Sequence, residues 1–185
     1  MRVHVVSDVH GRTDALARAA DGADALICLG DLLLFLDYAD HGQGIFADLF
    51  GQQAASKYVE LRTAKKFDEA REFSAHLLAD RPESRSTLFE AAMARQYAEL
   101  FGALPEPAYL TYGNVDVPRM WDRYLKPGHR VLDGGTVELD GWTFDFRPPP
   151  TKPKVHPSSS TVPPSRTRCP GLRYLSHILG TSTLP

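Results

Sequence analysis

The stretch VHVVSDVHGRTDALARAADGADALICLGD, residues 3–31, decides how the fold is read. Val3–Ser7 is short, apolar and β-branched, the composition of a strand buried on both faces. TDALARAA, residues 13–20, is rich in strong helix formers, with Thr13 or Asp14 available as a cap. ALICLG, residues 25–30, is a second apolar run and ends at Asp31. Strand, helix and strand within about 30 residues make a βαβ unit. Such a unit implies a parallel sheet with a right-handed crossover.

Beyond this unit the pattern becomes helical. KYVELRTAKKFDEAREFSAHLLAD (57–80) and STLFEAAMARQYAELFGAL (86–104) carry apolar residues at three- and four-residue spacing and predict two amphipathic helices. Pro82 and Ser84–Ser86 mark the break between them. So much helix between two strands predicts a helical insertion, about 42–104, packed over the sheet's edge or mouth. Strand character returns at AYLTYG (108–113), which runs into Asn114. RVLDGGTVELDGWTFDF (130–146) predicts a hairpin or meander, with Asp133-Gly134-Gly135 and Asp140-Gly141 as turns.

Composition divides the chain at residue 147. The formal net charge of −2 hides an asymmetry, since all 23 acidic residues lie in 1–146. Residues 147–185 carry six Lys and Arg and no Asp or Glu. Residues 147–170 hold eight of the 14 prolines, so this tail is expected to be extended, solvated and disordered. Its charge is read as that of a solvated segment rather than a surface for nucleic acid or acidic lipid. Two cysteines, Cys28 and Cys169, make no disulfide framework and fit a reducing compartment. No signal peptide and no membrane span is read, so a cytoplasmic protein without a membrane partner is expected. No protein partner is inferred.

Three apolar runs each end in a residue able to bind a metal: Asp8 with His10, Asp31 after Gly30, and Asn114 after Gly113. Singly, each is ordinary cap or turn chemistry. In an open parallel sheet, however, the carboxyl ends of the strands share one edge where ligands bind, so these residues would converge. Two carboxylates, an imidazole and an amide oxygen form a mixed N/O set suited to Mn, Fe, Zn or Ni. A receiver-like domain with Asp31 as phospho-acceptor leaves His10 and Asn114 unexplained.

The ordered set Asp8-x-His10, Gly30-Asp31 and Gly113-Asn114-Val115-Asp116, each after a strand, resembles the calcineurin-like metallophosphoesterase family over residues 1–146. The resemblance implies an α/β fold: a metallophosphoesterase-like β-sandwich flanked by helices, here incomplete. It further implies two divalent metal ions and a phosphate-ester substrate, mono- or diester. Asp8 and His10 would bind the first metal, Asp31 would bridge both, and Asn114 would bind the second. A bridging water would then attack phosphorus in line.

Two departures stand out. Val115 occupies the position where the family often has a histidine, and it can neither donate nor accept a proton. Asp116, ordinarily a supporting partner there, is left with an open role. The family's later Gly-His and Gly-His-x-His segments are also absent. Of the downstream histidines, His129 lies in a Pro-Gly turn and His156 among prolines. His177, in YLSHI, is the best positional stand-in for a missing ligand. Together with the compositional break, this predicts that residues 147–185 are not the native continuation of the domain. The expected function is a metal-dependent phosphoesterase, truncated and impaired. The alternative is an inactive remnant or binding module of the same family.

Overall fold

The computed structural model describes residues 1–79 and 81–146. His177, His156, Cys169 and the tail expectation lie outside the described residues. Strands β1 (Val3–Val6), β2 (Ala25–Cys28), β3 (Ala108–Leu110) and β4 (His129–Val131) form one sheet in the order β1-β2-β3-β4. Every neighbouring pair is parallel, with Val5 opposite Ile27 and Ile27 opposite Tyr109. Helix α1 (Thr13–Ala19) makes the first crossover, as the βαβ reading of residues 3–31 requires.

The second crossover, from β2 to β3, contains α2 (Ile45–Phe50), α3 (Gln52–Thr63), α4 (Phe67–Ala79) and α5 (Arg85–Ala103). Packing divides this helical stretch. Phe89, Met93, Tyr97, Leu100 and Phe101 of α5 join Leu26, Cys28, Ala108 and Leu110 of the sheet and Trp121 in the main core. A separate cluster gathers Phe46, Ala47, Tyr58, Val59, Leu61 and Ala70 around Leu36. There Phe46 stacks on Tyr58 at 4.6 Å between ring centroids. Leu36 belongs to the loop after β2, so the smaller cluster anchors that loop from beneath.

On the opposite face of the sheet lies a second, two-stranded layer, β5 (Thr136–Leu139) and β6 (Trp142–Asp145). Val137 and Leu139 close over Ile27, with Val3, Tyr109 and Phe144 packed around them. The two-residue turn Asp140-Gly141 has positive φ at both positions, 52° and 79°, which suits the twist of a tight hairpin. The architecture is α/β, with helices on one face of a parallel sheet and a small antiparallel sheet on the other.

Four expectations are corrected. The helix predicted over 57–80 is two helices, because the chain turns at Lys65, whose φ is 60°. No glycine or proline marks that turn. His129–Val131 pairs with β3 in the parallel sheet instead of with the following strands. Val5 is exposed, because β1 is an edge strand on which the hairpin layer covers Val3 but leaves Val5 open. Helix α1 starts from Arg12 with no side-chain cap.

A cap does form at α5, where the Ser84 hydroxyl accepts the Thr87 N–H at 3.2 Å. Ser84→Ala should destabilise the protein by about 1 kcal/mol in denaturant unfolding, the usual cost of losing such a cap. Among the described residues, no helix is long and apolar enough to cross a membrane.

Candidate functional site

Asp8, His10, Asp31 and Asn114 line one cleft of about 430 Å³ at the carboxyl ends of β1, β2 and β3. Parallel strands end on the same edge, so three loops far apart in sequence meet there. Leu33, Phe35, Leu36 and Tyr38 form an apolar wall, with Asp37 beside them. The sequence did not single out this wall, because LLLFLDY (32–38) reads as one more apolar run.

Backbone conformation at the site is unusual. Asp8, His10 and Asp31 have φ of 55°, 43° and 54°, values that L-residues with a Cβ seldom adopt. Strained backbone of this kind persists where the surroundings over-determine it, commonly at functional sites. Here hydrogen bonds supply the constraint. His10 N donates to Asp31 O at 2.9 Å, and Gly11 N donates to Leu32 O at 2.8 Å. The first loop is thereby laced to the second.

The second and third loops touch directly. A Cβ on Gly30 would overlap the backbone nitrogen of Gly113, and a Cβ on Gly113 would overlap the Asp31 carboxylate. Val115 N donates to Asp31 Oδ1 at 3.1 Å, which fixes the orientation of that carboxylate.

Asp116 acquires a definite role. Its Oδ1 accepts the Leu32 N–H and its Oδ2 accepts the Gly113 N–H, both at 3.0 Å. One buried carboxylate thus straps the Asp31 loop to the Asn114 loop. Burial pushes its pKa up to about 6, against the lowering effect of the two N–H donors. Beside it, the Tyr97 hydroxyl accepts the Val117 N–H at 2.7 Å and holds the chain just past Asp116.

The donor chemistry suits a divalent cation in part. His10 Nδ1 lies 3.1 Å from Leu33 O. A carbonyl only accepts, so Nδ1 carries the proton and Nε2 keeps its lone pair. That Nε2 lies 3.8 Å from Asp8 Oδ1, with both side chains substantially exposed. Yet among the described residues no three His, Cys, Asp or Glu side chains come together as a metal-holding group. The set found is two carboxylates and one imidazole spread around a cleft, with the Asn114 amide as the fourth member.

Other candidates fall away. His129 is buried at the start of β4, where Nδ1 accepts the Lys126 N–H and Nε2–H donates to Pro105 O. Both ring nitrogens are therefore committed away from the cleft. Burial raises the Cys28 thiol to about 11, so it stays protonated and unreactive.

A family model described as calcineurin-like phosphoesterase matches residues 1–152. No curated protein and no solved structure matches the chain. The matched span contains all three motif loops and the sheet that brings them to one edge, and on this agreement the chain belongs to the calcineurin-like phosphoesterase family.

Proposed function

We propose that this chain is a metal-dependent phosphoesterase acting on phosphomonoesters or phosphodiesters, with residues 1–146 as its phosphoesterase-like unit. The observation behind this reading is that Asp8, His10, Asp31 and Asn114 line a single cleft. Asp8 and His10 would hold one divalent ion, Asp31 would bridge to a second, and Asn114 would hold that second ion. Mn, Fe, Zn and Ni all suit such N/O donors. When bound, these ions supply the charge that lowers the pKa of a bridging water and stabilises phosphoryl oxygens.

The chain's own residues supply orientation. Leu33 O keeps the proton on His10 Nδ1, and Val115 N–H keeps the Asp31 carboxylate turned toward its position. The apolar wall from Leu33 to Tyr38 would receive the organic part of the ester and exclude water from it. Val115 offers no proton to a departing alcohol, so esters with good leaving groups are favoured.

A second reading is a binding module that keeps the cleft without turnover. It is favoured by the absence, among the described residues, of a three-member His/Cys/Asp/Glu group. Hydrolysis of nitrophenyl phosphate and bis-nitrophenyl phosphate in Mn²⁺ separates the two. The enzyme reading expects metal-dependent turnover that Asp31→Ala abolishes. No metal bound and no turnover of either ester leaves the inactive remnant or binding module.

A further inference from the structure

Gln96 stands among the apolar positions of α5, half-buried between Met93, Tyr97 and Leu100. Its Oε1 accepts the Leu34 N–H at 3.0 Å, and its Nε2 donates to Leu34 O at 3.1 Å. A primary amide carries donor and acceptor side by side, so it engages both backbone groups of one residue as a neighbouring strand would. Leu34 is thereby clamped to a helix of the main core.

The clamped residue adjoins the one that orients His10. Leu33 O faces His10 Nδ1 at 3.1 Å. The same strip is tied to the first loop through Asp31 O and Leu32 O. Residues 31–34 are therefore laced to His10–Gly11 on one side and to α5 on the other. Behind the clamp lies a polar cavity of about 330 Å³, lined by Gly11, Leu34, Gln96 and Arg95 among others. It has room for water to compete for Leu34 if the amide is lost.

We propose that Gln96 is a positioning residue of the metal site. By holding Leu34 it fixes the Leu33 carbonyl, and so sets the tautomer and aim of His10. This rests on the reading of His10 as a metal ligand. Partners that orient a ligating histidine typically matter about 10–100-fold in metal affinity.

The test uses the full chain with Gln96→Met, which has no amide, and Gln96→Glu, which keeps only the acceptor for Leu34 N–H. Met93→Ala removes core packing from the same helix but no hydrogen bond to Leu34. Long-range ¹H–¹⁵N NMR at pH 8 without metal reads the His10 tautomer, and calorimetry reads Mn²⁺ affinity. The wild type should show Nδ1–H alone. Gln96→Met should show a mixture with Nε2–H and about 10–100-fold weaker Mn²⁺ binding, with Gln96→Glu between them. If Gln96→Met does not fold, Gln96→Glu carries the test alone. Met93→Ala should keep the wild-type tautomer. An unchanged tautomer in both Gln96 variants overturns the clamp, as does an equal change in Met93→Ala. A wild type that binds no Mn²⁺ overturns the metal reading instead, and the tautomer, measured without metal, still decides the clamp.

Discussion

Gly30→Ala should destabilise the protein by about 4 kcal/mol or more in denaturant unfolding, the range reserved for direct steric conflict in a packed interior. Two effects combine. Gly30 has φ of 93°, which a residue with a Cβ adopts only with strain. More important, the new Cβ would overlap the backbone of Tyr112 and Gly113, and backbone cannot swing aside as a side chain can. Relief requires parting the Asp31 loop from the Asn114 loop, which breaks the Val115–Asp31 and Asp116 hydrogen bonds as well. Gly134→Ala separates the two effects. Gly134 has φ of 71° but nothing within 4 Å of its added Cβ, so it should lose only about 1 kcal/mol. Equal losses at the two positions would show that the loop crossing is not the tight contact described.

Asp116→Ala should cost about 3 kcal/mol, since Leu32 N–H and Gly113 N–H are both left without an acceptor in a buried place. Release of a buried carboxylate offsets part of this, and the offset depends on pH. The folded-state pKa of about 6 lies above the ordinary 3.8, so the folded form holds the proton more tightly. Its contribution to stability is full below 3.8 and is lost as pH rises through about 6. The difference between wild type and Asp116→Ala should accordingly shrink as pH is raised across that window. Unfolding curves at pH 4, 5, 6 and 7 check this, and a difference that grows with pH would contradict it.

Much of the fold was legible because residues 3–31 state a βαβ unit in composition alone. The site was legible for a related reason. Each motif follows a strand, and parallel strands must end at one edge, so Asp8, His10, Asp31 and Asn114 could be expected to share a cleft without any three-dimensional information. What escaped reading was set by tertiary contact. Lys65 ends α3 at positive φ with no glycine to announce it. His129–Val131 is too short to show a period, and only its place beside β3 makes it a strand. Val5 looks like core, but β1 is the sheet's edge strand and leaves Val5 exposed.

The role of Asp116 was open in the sequence because its two partners, Leu32 and Gly113, are defined only by where the loops cross. Gln96 left one faint mark. It occupies a position that the spacing of Phe89, Met93, Tyr97 and Leu100 assigns to the apolar stripe, and a polar residue there has something to bond.

The central claim is that the cleft shared by Asp8, His10, Asp31 and Asn114 holds divalent metal. Titration of the purified full chain with Mn²⁺ by calorimetry, beside Asp31→Ala, tests it most directly. Saturable binding that weakens by at least about 100-fold in Asp31→Ala is the result expected for loss of a bridging ligand, beyond the 10–100-fold cost of losing an outer partner. No saturable binding by the wild type, or binding that Asp31→Ala leaves unchanged, would contradict it.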